Sequence, residues 1–295
     1  MWVPLAMLRR SVERIYRSLP VVRELFQIRD SVRHELSTMR MAEFMRTWEL
    51  ELERHPRYSD PLRLQRHSFQ VNSQSGEDGI LREIFRRIGT GNRVFVEIGV
   101  GDGLENNTAF LLALGWRGYW IEGSDAFLKT LSSRGIGPER VQGRAAFVTR
   151  ENAASLLNQL GVPAEYDLLS IDIDQNTYYI WEALHAHRPR VVAIEYNAAL
   201  PPDLDWKVVY DPNRVWDGSV NFGASLKALE RLGRELGYSL VGCDLAGTNA
   251  FFVRDDLLAD RFAAPFTAEN HYEPVRYALL QTRGHSRSIL DPGGS

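Results

Sequence analysis

From Ser73 to Val253 the chain alternates short apolar, β-branched runs with stretches of helical periodicity. No other feature restricts its fold as strongly. Runs of four to eight such residues bounded by turn residues read as buried strands. Arg93-Val-Phe-Val-Glu-Ile-Gly-Val100 is the first, followed by 119–122, 145–149, 166–174 and 190–197, with 238–241 and 250–253 closing the series. Helices are expected over 107–114, 178–187 and 222–236, and Gly115 and Gly237 end the first and last of these. Strands alternating with helices give an α/β architecture with a mostly parallel sheet and helices on both faces.

Residues 1–70 differ from this pattern. They carry a net charge of +4, whereas the remaining 225 residues carry −7. Leu5, Leu8, Val12, Ile15 and Leu19 recur at helical spacing among Arg9, Arg10, Arg14 and Arg17, and Pro20 ends that helix. A second helix is expected from Val21 to about Glu53. Three roles stay open for this arm: peripheral contact with an anionic membrane surface through residues 1–53, a cap on the domain, or a contact between copies in a homo-oligomer. The chain thus divides into an N-terminal helical arm (1–70), a cofactor-type domain (71–257) and a C-terminal extension (258–295), partly disordered, with a frayed tail from Gly284.

At 295 residues and 44% hydrophobic, the chain is rich enough in apolar side chains to exclude a disordered protein. A net charge of −3 argues against a nucleic-acid partner. The one cysteine, Cys243, excludes a disulfide framework and fits a reducing compartment. Arg9 and Arg10 interrupt the N-terminal apolar stretch, so it makes a poor signal peptide. The expected location is the cytoplasm, including the inner face of the membrane. The basic residues are 32 Arg and 3 Lys, a bias better explained by a GC-rich genome than by phosphate binding.

In sheets of this kind ligands bind beyond the carboxyl ends of the strands. The first strand ends in Glu97-Ile-Gly99-Val-Gly101-Asp-Gly103. The G-x-G-x-G spacing differs from the dinucleotide G-x-G-x-x-G, and Glu97 would repel a pyrophosphate but suit a cationic amino-acid headgroup. That favours S-adenosylmethionine over a nicotinamide cofactor. Glu122 ends the second strand, where an acid accepts ribose hydroxyls. Asn107 and Thr108 are expected to cap the helix after the glycine loop.

The fourth and fifth strands end in Asp172-Ile-Asp174 and Glu195-Tyr-Asn197. Alternation places Asp172 with Asp174, and Glu195 with Asn197, on common faces of neighbouring strands. Such an oxygen cluster suits Mg²⁺ or another divalent cation. The competing reading has no metal, and Asp172 acts as general base or touches the cofactor. After the fifth strand, aromatics interleave with acids in a long irregular segment. Trp206, Tyr210, Asp211 and Trp216 are the candidate substrate contacts, suited to a carbohydrate, or parts of a lid.

Together the glycine loop, Glu122 and the Asp172-Ile-Asp174 strand resemble those of class I S-adenosylmethionine-dependent methyltransferases. Ser73-Gln-Ser-Gly-Glu-Asp78, Ser-Ile-Asp-Ile-Asp174 and Ile-Glu-Tyr-Asn197 more narrowly resemble the FkbM-type group over residues 70–257. The resemblance implies a Rossmann-like, seven-stranded sheet with one antiparallel strand. It implies O-methylation of hydroxyls on sugars, glycolipids or natural products, as in polysaccharide modification. Gly99, Gly101 and Glu122 would be cofactor contacts, with Glu97 and Gly103 beside them and Gln74 reaching in from the preceding segment. A metal there would be similar to that of catechol-type O-methyltransferases, which have the acid and amide adjacent rather than two apart as in Glu195-Tyr-Asn197. Gln175-Asn-Thr177 also departs from the Gly-Asn-Asp-like turn expected at that place.

The expected activity is therefore O-methyl transfer to a small-molecule or glycan hydroxyl, with Asp172 catalytic. The rivals are an NAD-linked oxidoreductase and a non-catalytic scaffold built on a cofactor fold.

Overall fold

The computed structural model describes residues 20–47, 50 and 54–276. The first amphipathic stretch (5–19) and the tail from residue 277 lie outside the described residues, so the membrane, oligomer and disorder readings that rest on them do too. The second expected helix is present as α1, Pro20–Thr47. Among the described residues no helix is long and apolar enough to cross a membrane.

Seven strands form one sheet: β1 (Val94–Ile98), β2 (Arg117–Glu122), β3 (Val141–Ala145), β4 (Glu165–Ile171), β5 (Arg188–Glu195), β6 (Tyr238–Cys243) and β7 (Asn249–Arg254). Their spatial order is β3-β2-β1-β4-β5-β7-β6. The first five run parallel, and β7 is antiparallel to both β5 and β6. This is the Rossmann-like, seven-stranded, mostly parallel sheet with one antiparallel strand that the sequence led us to expect. β1, fully buried along its length, sits near the middle and is apolar except for Glu97, as befits a parallel strand covered on both faces.

The helices α2 (Pro56–Ser59), α3 (Glu77–Ile88), α4 (Ala109–Ala113), α5 (Ala126–Ser133), α6 (Ala153–Gln159), α7 (Thr177–Ala183), α8 (Leu226–Leu236) and α9 (Ala268–His271) complete the chain. Two apolar clusters result. One holds Val96, Ile98, Ile171, Trp181, Ile194 and Leu229; the other holds Ile84, Phe95, Trp120, Leu168, Val191 and Phe251. Adjacent residues of β1 and β4 divide between the two clusters, as side chains alternating across a sheet do. α8 has well-formed ends: the Ser225 side chain accepts from the Ala228 N–H, and Gly237 takes the left-handed turn after Leu236.

One expectation shifts. The third strand is 141–145 rather than 145–149. The apolar run Ala145–Val148 extends past the end of the strand, where its side chains are needed as a wall rather than as core. Residues 56–67, which the sequence groups with the arm, are tied to the far end of the chain. Tyr58 Oη donates to Glu273 Oε2 at 2.7 Å, and Gln65 Nε2 donates to the Cys243 carbonyl at 3.0 Å.

Candidate functional site

The carboxyl ends of the parallel strands open into two adjoining cavities. Gly99 and Asp172 line both.

The larger, about 220 Å³, runs along the ends of β3, β2, β1 and β4. Its walls are Ile121 and Glu122, then Ala146–Val148, then Asp172–Asn176. Arg214, Val215 and Trp216 close it from the long segment after β5. The Glu122 carboxylate accepts from the Gly101 N–H at 3.0 Å and from the Ser124 N–H at 3.1 Å, which braces the glycine loop.

The smaller cavity, about 190 Å³, is lined by Gln74, Glu97, Gly101, Asp102, Glu105, Asn106, Asn107 and Asn249 besides the shared residues. Among the described residues that line it there are acids, amides and glycines but no Arg, Lys or His. Asn106 Nδ2 donates to Glu97 Oε2 at 2.6 Å, and Asn249 Nδ2 donates to Glu77 Oε1 at 2.9 Å. Each carboxylate thereby fixes which way its amide points. The Oδ1 of both asparagines is buried without a hydrogen-bond partner.

Gly99 cannot be another residue. It has φ +90°, and a Cβ there would stand 1.7 Å from the Asp172 carbonyl oxygen. Gly101 (φ +59°) has open space where its Cβ would be. Gly103 lines neither cavity. A Cβ there would stand 2.9 Å from the Trp120 ring and 3.4 Å from Phe127 Cβ, so the absence of a side chain lets the loop lie against these two residues.

Glu97 is buried, and both its oxygens are already engaged. It accepts from the Asn107 N–H at 2.8 Å, the Thr108 N–H at 3.1 Å, Thr108 Oγ1 at 2.5 Å and Ser170 Oγ at 3.3 Å, besides Asn106. It therefore holds the turn over 106–108 that leads into α4, whose N-cap residue is Thr108. Its proximity can attract a cation, but its lone pairs are spent. Burial raises its pKa, and these donors oppose the rise.

The period-two pattern expected beyond β4 and β5 is broken, because both strands end early. Asp174 turns left-handed at φ +60°. The carboxyls of Asp172 and Glu195 hydrogen-bond to each other. Burial, and then the negative charges of Asp174, Glu97 and Glu77, push Asp172 up to about 7. Glu195 is also raised, first by burial and then by Asp172 and Asp174. Its Oε2 accepts from the Asp174 N–H at 3.0 Å.

Asn197 does not join this group. Its Nδ2 donates to the Val220 and Phe222 carbonyls, and its Oδ1 accepts from the Ala199 N–H, so it staples the long segment instead. Among the described residues no three or more His, Cys, Asp or Glu side chains are arranged to hold a metal ion. The expected ligand set of Asp172, Asp174, Glu195 and Asn197 is thus not assembled. Two of its acids pair with each other, and its amide is occupied elsewhere.

Of the four expected substrate contacts, Trp216 alone lines the cleft. Trp206 is held by backbone hydrogen bonds to Ser225. The Tyr210 ring lies under the Arg150 guanidinium at 4.3 Å, and its hydroxyl bonds Glu151. The Asp211 carbonyl accepts from Asn176 Nδ2 at 2.9 Å. These three secure the loop to its surroundings. Sequence reasoning missed Asn106, Asn249, Phe147, Arg214 and Gln175. Asn249 arrives through the antiparallel β7, and nothing in local spacing announces it.

No protein-family model matches this chain. No curated protein matches it either. Solved structures give remote likenesses. The N-terminal domain of EvdMO1, solved with SAH bound, matches at 14% identity and a TM-score of 0.37 over 60% of this chain and 79% of that one. The CcbJ methyltransferase from Streptomyces caelestis matches at 16% and 0.37 over 59% and 88%. The mitomycin 7-O-methyltransferase MmcR matches at 16% and 0.35 over 59% and 53%, so this chain spans about half of MmcR. Likenesses this remote do not say what this chain binds. The seven-stranded topology and the cleft at its carboxyl edge stand on this structure alone.

Proposed function

We propose that this chain is an S-adenosylmethionine-dependent O-methyltransferase, acting on a hydroxyl of a sugar, glycolipid or glycosylated natural product. One observation carries the reading. The smaller cavity suits a cation, with two buried and unpartnered amide oxygens, on Asn106 and Asn249, and four acids, Glu97, Asp102, Glu105 and Asp172, in its lining. Buried polar atoms left unpaired are costly, and a ligand that donates to them removes the cost. An ammonium and a sulfonium meet that need. A pyrophosphate would face carboxylates and no basic group, which weighs against a nicotinamide dinucleotide.

When bound, S-adenosylmethionine supplies an electrophilic methyl group on a positively charged sulfur. The residues present fit it in two parts. Asn106 and Asn249 would hold the amino-acid ammonium, and Ile121, Glu122, Phe147 and Val148, which line the larger cavity, would hold the nucleoside. Asp172 stands where the two cavities meet and would accept the proton of the acceptor hydroxyl. Glu195, hydrogen-bonded to it, shares that proton and holds the carboxyl in place. Trp216 and the loop around it shield the reacting atoms from water.

Calorimetric titration of S-adenosylmethionine into the purified protein tests the reading directly. Micromolar binding, weakened in Asn249→Ala, is expected. No binding to the wild-type protein would overturn it.

A further inference from the structure

Gln175 stands at the departure from the expected turn after β4, and no role described so far uses its side chain. It is 2% exposed and lines the larger cavity. Neither Oε1 nor Nε2 has a hydrogen-bond partner. A buried primary amide with neither end paired is rare in folded proteins and marks a place where a partner is missing. The backbone around it is well held. Its N–H donates to the Ile173 carbonyl at 2.7 Å, and the neighbouring Asn176 is tied to Asp211 of the long loop.

Strand order decides which ligand the amide serves. Along the carboxyl edge of the sheet the sequence of groups is Phe147 after β3, Glu122 at β2, Gly99 at β1, Asp172 and Gln175 after β4, and Glu195 at β5. The nucleoside side of the cleft is the β3–β2 side, and the acid pair lies at β4–β5. Gln175 is on the acid-pair side, one strand beyond the glycine loop. The same stretch of cleft is closed by Arg214 and Trp216 from the loop after β5.

Resting on the methyltransferase reading, we infer that Gln175 recognises the methyl acceptor, and that the acceptor presents two adjacent hydroxyls. A primary amide offers one accepting oxygen and two N–H donors from a single planar group. A vicinal diol matches this: one hydroxyl donates to Oε1 while its neighbour accepts from Nε2. A lone alcohol or phenol satisfies half of the amide and leaves the other half unpaired. Gln175 thereby selects for saccharide-like diols and turns the hydroxyl to be methylated toward Asp172.

The test uses the full chain and three variants, Gln175→Ala, Gln175→Met and Gln175→Glu. S-adenosylmethionine affinity is measured by calorimetry. Methyl transfer is measured with labelled cofactor on a panel of p-nitrophenyl pentosides and hexosides and their mono-deoxy analogues. Cofactor affinity is expected to stay within about threefold in all variants. For the wild-type protein, removing one hydroxyl of the diol should lower kcat/KM at least tenfold. In Gln175→Met the diol and deoxy glycosides should be equally poor, so that the two losses do not add. Gln175→Met should also melt at or above the wild-type temperature, since it removes an amide with no partner in the free protein. Equal transfer by wild type and Gln175→Met overturns the inference, as does additivity of the two losses. A loss of cofactor affinity in the variants also overturns it, by moving the amide to the nucleoside. Cofactor binding without transfer to any glycoside in the panel overturns the inference while leaving the methyltransferase reading intact. Absence of cofactor binding overturns both.

Discussion

The Asp172 and Glu195 carboxyls hydrogen-bond to each other at the ends of neighbouring parallel strands, each one residue past the Ile171–Ile194 pair in the β4–β5 register. Burial comes first in raising both acids and the negative charge of Asp174 adds to it, so the pair retains a proton at a pH where exposed carboxyls have lost theirs.

Methyl transfer should therefore rise with pH through about 7, where Asp172 loses its proton and becomes able to take one from the hydroxyl. Stability should run in the opposite direction. The unfolded chain releases this proton near 3.8, whereas the folded chain keeps it to about 7. The stabilisation is full below the lower value and is lost as pH rises through the upper one. Melting temperature against pH checks the sign. Glu195→Gln should flatten the fall between pH 4 and 7, and an unchanged profile would rule out the shared proton.

Asp172→Asn keeps the shape of the side chain and removes its basicity. General-base catalysis contributes roughly 10²–10⁴-fold, and a loss in that range is expected in single-turnover transfer. Cofactor affinity should change little. A variant that binds S-adenosylmethionine poorly but transfers normally once saturated would assign Asp172 to binding.

Asn249→Ala removes one accepting oxygen from the smaller cavity. A hydrogen bond to a charged group is worth about 1.5–3 kcal/mol, so S-adenosylmethionine should bind roughly 10- to 100-fold more weakly. Methylthioadenosine, which lacks the amino-acid portion, should bind with unchanged affinity. Parallel titrations of the two ligands separate this from general damage to the fold.

The two central glycines of the loop should respond very differently to alanine. At Gly99 the new methyl would collide with the Asp172 backbone, and urea unfolding should show a loss of ~4 kcal/mol or more. At Gly101 nothing lies within 4 Å, and only the left-handed backbone is penalised, by about 1–2 kcal/mol.

Much of this was legible in the chain itself. The alternation of apolar runs and helical stretches located every strand but one, because a buried parallel strand is apolar over most of its length. β3 was misplaced because it lies at the sheet's edge, with its residues only partly buried. The glycine spacing and the acids at 97, 122, 172 and 195 were visible because residues after a strand end fall at the ligand-binding edge. What those acids do was not visible. Glu97 reads as a free carboxylate in sequence, yet the turn leading into α4 claims both its oxygens.

The sequence by itself determined the α/β class, the glycine loop and which strand ends carry acids, since each follows from periodicity or from the needs of a tight turn. Tertiary structure alone decided the rest. Parallel register brought Asp172 against Glu195. An antiparallel strand delivered Asn249 to a loop more than a hundred residues away in sequence. The fold of the long segment drew Asn197 out of the acid group and closed Trp216 over the cleft that Gln175 lines. Hydrogen-bond partners are settled by competition among groups distant in the chain, and local pattern carries no record of who wins.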